Sequence, residues 1–225
     1  YALTNTISTL FEIRGVGIGR TSFKRRINTT FLLAISYLET ASANSALIKK
    51  EIKKATEQQN DVVVTSKKTI ERDTIETIDL DTREIIELNV TIRDGLRSYG
   101  DLVRDRPVAY LADANQTEII EKLKTLGVII ETLPEDQEIE VETYRVSEYE
   151  RDSKKYEKMN LQTVKTTIET KKIQFSKGTY KINTNQRRAN IILEVLEPEA
   201  PNSFVSFGVL ETEVEAYLPI YRIVK

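Results

Sequence analysis

Apolar and polar positions change rhythm twice along the chain. Residues 6–13, TISTLFEI, place Ile7, Leu10, Phe11 and Ile13 in a short apolar run closed by Gly15, which predicts a strand. From Ser22 the rhythm is helical. Phe23, Ile27, Phe31, Ala34, Leu38 and Ala41 recur every three or four residues, and Ser22 is the predicted N-cap. Leu47, Ile48, Ile52 and Ala55 either continue that helix or form a second one after ASANSA. The polar stretch TEQQND ends the helical character and marks a boundary between segments 1–60 and 61–225.

From Val62 the pattern is β. In EIIELNVTIRD the residues Ile86, Leu88, Val90 and Ile92 alternate strictly, so one face is expected to be buried and the other solvated. TIETIDLDTRE supplies a partner strand and a turn at 79–83. After Pro107 a strand–helix–strand unit is predicted, with Val108 and Leu111 in its first strand and Asn115 or Thr117 capping the helix. Ile119, Ile120, Leu123 and Leu126 line that helix, Gly127 stops it, and residues 128–130 form the return strand. KKIQFSKGTYKINTN predicts a hairpin turning at 176–178, and RRANIILEVLEPEAPNSF a short helix broken at Pro198 and Pro201. Residues 147–160, SEYERDSKKYEKMN, mix both charges and read as a solvated helix or loop rather than a nucleic-acid patch. Tyr144, Tyr180, Tyr217 and Tyr221 read as half-buried strand residues, with a carbohydrate or peptide groove as the sharper alternative. The fold class expected is α+β.

Composition narrows the chemistry more than the fold. A chain of 225 residues can bury a sizeable core as one large domain or two smaller ones. A net charge of −2 gives no general attraction to nucleic acid or to an anionic membrane, and no apolar run is long enough to span a bilayer. No signal peptide is recognised, and the start at Tyr1 rather than methionine leaves export open. There is no cysteine and no histidine. Disulfides, thiol nucleophiles, imidazole bases and the usual zinc ligands are therefore closed to this chain. A zinc site of Asp and Glu alone would be unusual, and no calcium-loop motif occurs. No metal or cofactor is expected to be held by this chain.

Two stretches invite a chemical reading. In GVGIGR the third glycine comes one residue early for a dinucleotide fingerprint, Arg20 holds its expected place and no second strand follows the helix. Neither Lys nor Ser/Thr follows Gly19 in the order of a phosphate loop, so a turn needing positive φ is the better reading. Glu12 sits among apolar residues. It is either a strand-end carboxylate paired to Arg14 or Arg20, or a general base in a cleft. Arg25 and Arg26, early in the helix, are expected on its solvated face.

Residues 1–40, YALTNTISTLFEIRGVGIGRTSFKRRINTTFLLAISYLET, resemble the last strand, loop and C-terminal helix of zinc carboxypeptidases of the carboxypeptidase A type. In that family a glutamate in an F-x-E-x-R-like setting promotes attack of zinc-bound water on the peptide carbonyl and carries the proton to the leaving amine. The resemblance implies that Glu12 is this catalytic glutamate, and Tyr1 and Asn5 match a Y-x-x-L-x-N-x-I-S pattern of bacterial members. FSKGTYKINTNQRRANIILEVLEPEAPNSFVSFG resembles the C-terminal accessory region of long bacterial carboxypeptidases of the family, where a G-T-Y…LLEPEAPDSF run is typical.

The departures matter equally. The family's zinc ligands, an H-x-x-E pair and a later histidine, all lie upstream of the matching stretch, as do the arginines that clamp the substrate. The family's mobile substrate tyrosine precedes the glutamate by more residues than Tyr1 does, so that role is not carried to Tyr1. The resemblance thus implies the C-terminal part of a bacterial enzyme. Residues 1–60 would be the edge of an α/β catalytic domain, a strand and a long helix, and residues 61–225 a β-rich accessory domain. It implies zinc and a peptide substrate in the full-length protein, an inactive isolated chain, and an extracellular or cell-envelope location. The upstream catalytic segment is the expected partner in the full-length protein. In this chain the apolar faces of 6–13 and 23–41 are expected to be covered by the accessory domain or by another copy, with self-association through residues 1–55. The alternative is a non-catalytic module binding cell wall, glycan or peptide through residues 61–225. The readings differ on Glu12: exposed at an open cleft in the first, buried in a salt bridge in the second.

Overall fold

The computed structural model describes residues 2–15, 17–58 and 60–224; Tyr1, singled out above, lies outside the described residues. The chain forms two compact units, residues 1–59 with 185–191, and residues 60–184 with 192–225.

In the first unit a 3-10 turn, Gly19–Ser22, leads into helix α1 (Phe23–Ala43). Helix α2 (Ser45–Glu57) follows at an 80° bend, so the second of the two alternatives for 47–55 is the one observed. The break falls at Asn44, whose backbone leaves the helical region at φ −107 and ψ 18 while its side-chain amide donates to the Thr40 carbonyl at 2.8 Å. The strand predicted over 6–13 does not form. Strand geometry is held by ladder bonds to a neighbour, and among the described residues no strand lies beside this segment. α1 has the expected periodicity yet buries none of its side chains; Phe23, Ile27, Phe31 and Leu38 are all exposed. Among the described residues no single helix is long and apolar enough to cross a membrane.

The second unit holds two sheets. Strands β1 (Val62–Ile78) and β2 (Ile85–Arg104) pair antiparallel into a two-stranded ribbon turning at 79–84, as expected. The face expected to be buried is not: Ile86, Val90 and Ile92 are half-buried and Leu88 is exposed, because the ribbon is a separate two-stranded sheet. The remaining elements are β3 (Ala109–Ala112), α3 (Thr117–Thr125), β4 (Glu131–Thr132), β5 (Gln137–Tyr156), β6 (Met159–Phe175), β7 (Tyr180–Asn183), α4 (Ala189–Leu196) and β8 (Tyr217–Ile223). Six strands form an antiparallel sheet in the order β4-β7-β3-β8-β5-β6. Helix and sheet are thus mixed in the chain, consistent with α+β.

Several expectations are corrected by this topology. β6 and β7 are not a hairpin, because β6 pairs β5 at one edge while β7 pairs β3 and β4 toward the other. The strand–helix–strand unit is present in outline, but β7 lies between β3 and β4, and the return strand begins at Glu131. Gly127 ends α3 with φ 81, as expected, while Gln116 takes the N-cap position rather than Asn115 or Thr117. Residues 147–160 are neither helix nor loop. They are the far half of the β5–β6 ribbon, which turns at Glu157 and Lys158 with φ 50 and 70.

The main core packs α3 and α4 on one face of this sheet, through Tyr110, Ile120, Leu123, Ile182, Ile192 and Leu218. Val62 and Val64 root the β1–β2 ribbon in it. Leu111, Leu133, Val141 and Phe175 form a smaller cluster, so β3, AYLA, is buried on every residue. Of the four tyrosines considered for a groove, Tyr144 is fully buried, Tyr180 and Tyr221 are half-buried, and Tyr217 is exposed.

Candidate functional site

The glycine loop after Glu12 decides where that carboxylate lies. Gly15 has φ 145, and a Cβ there would fall 2.5 Å from Arg26 Cδ and 3.0 Å from Ser22 Oγ, so only glycine fits without displacement. Ser22 is buried, and its single hydroxyl proton is shared between the carbonyls of Gly15 and Gly19, each 3.1 Å away. The hydroxyl therefore closes the loop instead of capping α1. Gly17 and Gly19 also have positive φ, 86 and 67, which is the turn requirement read from the sequence.

The closed loop turns the preceding segment back along α1. The ring of Phe11 meets that of Tyr37 edge-on, with centroids 5.1 Å apart, and Thr9 Oγ1 hydrogen-bonds Tyr37 Oη. Two concavities result. Leu10 to Arg14 with Arg25, Thr29 and Leu33 line a cleft of about 330 Å³ that contains Glu12. Ile13 with Phe23, Arg26, Ile27, Thr30, Phe31 and Ala34 line a mostly apolar groove of about 480 Å³. Glu12 is exposed and makes no ion pair among the described residues, with Arg14 and Arg25 as the cations of its cleft. The carboxylate faces solvent, and the guanidinium groups nearby can meet an anionic ligand. Arg25 is exposed, as expected, and borders this cleft, whereas Arg26 is half-buried beside Gly15. Asn5 hydrogen-bonds the Arg187 carbonyl and the Asn190 amide, both at 3.2 Å.

The acidic tail motif LEPEAP has a different part, which the sequence reading did not anticipate. Glu199 takes a bidentate pair from Arg104, Nη1 to Oε2 at 2.8 Å and Nη2 to Oε1 at 2.9 Å. Thr166 donates its N–H and hydroxyl to the same carboxylate, at 2.9 and 2.7 Å. Glu197 is fully buried. It receives Arg104 Nη1 at 2.8 Å and the Tyr110 hydroxyl at 2.6 Å, and Arg222 Nε lies 3.3 Å away without hydrogen-bond alignment. Arg222 also reaches Glu142 and the Asp105 carbonyl. Burial alone would raise the Glu199 carboxyl, but the Arg104 bond and charge, with Thr166, outweigh it and hold it below the usual range. Burial and the Glu197 charge push the Tyr110 phenol well up, so it remains a donor.

These groups tie the last residue of β2 to the turn after α4, and β8 to β5. Their role is to fix the root of the β1–β2 ribbon. Among the described residues no group of three or more acidic side chains is placed to hold a metal ion, and the chain has no histidine or cysteine. The donor set does not fit zinc.

No protein-family model matches the sequence, and no solved structure matches it. Three curated proteins are informative. Carboxypeptidase 2 of Trichophyton tonsurans is 29% identical across 98% of this chain and 42% of the relative. Carboxypeptidase 2 of Trichophyton rubrum is 30% identical with the same coverage. A probable carboxypeptidase 2 of Arthroderma benhamiae is 29% identical across 87% of this chain and 38% of the relative. These relatives are fungal, whereas the resemblance pointed to bacterial members. The chain spans about two fifths of the length of the curated relatives it matches, and along nearly all of its own length it is similar to fungal proteins named carboxypeptidase 2.

Proposed function

We propose that this chain is the C-terminal portion of a zinc metallocarboxypeptidase of the carboxypeptidase A type. On this reading residues 1–60 complete the catalytic domain and residues 61–225 form an accessory domain. The similarity to carboxypeptidase 2 proteins across 98% of the chain is the observation that carries it. An exposed Glu12 in a cleft with two arginines supports it, since a base must reach both water and substrate.

In the full-length protein Glu12 accepts the proton of the water that attacks the C-terminal peptide bond, then delivers it to the departing amine. The zinc belongs to the portion of the protein outside these 225 residues, because the donors here do not suit it. That same portion supplies a strand beside residues 6–13 and an apolar surface against the groove of α1. In its absence a second copy meeting residues 1–55 covers the groove. An extracellular or cell-envelope location goes with this reading.

The purified chain should release no amino acid from an N-acylated dipeptide with a free C-terminal carboxylate, with or without added zinc. It should also show no tight zinc binding by calorimetry. Steady turnover by the isolated chain contradicts the proposal.

A further inference from the structure

The β1–β2 ribbon has two unlike faces. Its register is unbroken from Thr69 opposite Asp94 to Ile78 opposite Ile85, and residues directly opposite share a face. One face carries Ile75, Leu88, Val90 and Ile92, of which Val90 and Ile92 are half-buried and Ile75 and Leu88 are exposed. The other consists of alternate cross-strand rows, and every residue on it is exposed.

That open face has a polarity along the strands. Its middle row is Thr74 opposite Asn89, whose side chains hydrogen-bond at 3.0 Å. One row toward the turn, Glu76 stands directly opposite Glu87, a like-charge pairing that costs the ribbon stability. One row toward the root lies Arg72, and in the next row Arg93. Among the described residues none of these four charges makes an ion pair. They cannot meet within one copy, because rows on one face are about 7 Å apart, which puts the Glu76 and Arg72 rows about 14 Å apart. The outermost rows are apolar at one or both positions, with Ile78 and Ile85 near the turn and Ile70 near the root.

We propose that this open face is a self-complementary surface on which a second copy of the chain docks. The two-fold axis lies in the interface, across the strands, at the Thr74 row. It sets Glu76 of each copy over Arg72 of the other, places Glu87 within reach of Arg93, and stacks Ile78 on Ile70. The like-charged Glu76 and Glu87 thereby gain the cations that one copy cannot bring to them. The alternative axis, along the strands, would put Glu76 over Glu87 and is disfavoured. The contact is small, roughly 300 Å² per copy on strand spacings, against about 800 Å² per partner in a standard interface. The association is therefore weak and salt-sensitive.

The absence of cysteine makes a direct test available. Thr74→Cys in the full chain puts a lone thiol on the axis, and Arg83→Cys puts one in the turn, off the axis. Under mild oxidation at low salt Thr74→Cys should form disulfide dimers at least about tenfold faster than Arg83→Cys. Adding Arg72→Glu and Arg93→Glu to Thr74→Cys, or adding Glu76→Lys and Glu87→Lys, should each remove that advantage. Mixing the two reversed proteins should restore it, which also shows that both are folded. Equal rates for Thr74→Cys and Arg83→Cys, or a rate that ignores the charge reversals, overturns the proposal. The latter is what association through the groove of α1 alone would give.

Discussion

A methyl group added at Gly15 would have to displace the stem of Arg26 while holding φ 145. Gly15→Ala should therefore cost about 1–3 kcal/mol locally. The readout is amide exchange, which should quicken over residues 15–26 while the six-stranded sheet is unaffected; unchanged exchange would show that the loop yields freely. Glu199 makes a second residue-scale prediction. Its carboxyl is held below the usual range, so its contribution to stability is complete above the ordinary carboxylate pKa of about 4.3 and is lost as pH falls through the lower folded value. Glu199→Gln should destabilise the second unit by about 3 kcal/mol at neutral pH, and the deficit should shrink in acid. A deficit that stays constant from neutral pH to about pH 3 contradicts this account. Tyr144 is the opposite case. Its hydroxyl is buried without a hydrogen-bond partner among the described residues, with Arg104 5.4 Å from its ring centroid. Tyr144→Phe should keep the ring contact and raise stability by about 1 kcal/mol, whereas a lower melting temperature would mean that the hydroxyl is bonded in solution.

Elements were legible where their two faces differ in polarity. Ile86, Leu88, Val90 and Ile92 alternate because the ribbon has two unlike faces, and Ile119, Ile120 and Leu123 mark the buried stripe of α3. Residues 147–160 were misread for the same physical reason. Most of that stretch is exposed on both faces of the β5–β6 ribbon, so the period-two signal is absent and only mixed charge remains. The proximity of 159–175 to 180–183 in sequence suggested a hairpin, but pairing is set by which edge of the sheet each strand can reach. The ribbon's turn is also locally unfavourable, since Glu157 and Lys158 both hold positive φ without being glycine or asparagine. Glu157→Asn with Lys158→Gly should raise the melting temperature by roughly 3 °C. No change there would mean that the turn adopts another conformation in solution.

At the scale of the whole molecule, the units differ in how self-sufficient they are. The second has a buried core and a buried ionic network, while in the first α1 buries none of its side chains and, among the described residues, no strand lies beside the segment holding Glu12. Absence of histidine and cysteine was the most informative feature of the sequence, because it excluded chemistries outright. The ionic network was not legible, because Arg104, Glu197, Glu199 and Arg222 come together only once two separate strands and a turn are folded together. The central claim is that Glu12 is the proton-transferring carboxylate of a larger peptidase. It is tested most directly by kcat of the full-length protein on an N-acylated dipeptide, comparing the natural protein with Glu12→Gln. The account predicts a fall of about 10²–10⁴-fold with substrate affinity little changed; a kcat within about threefold of the natural protein would contradict it.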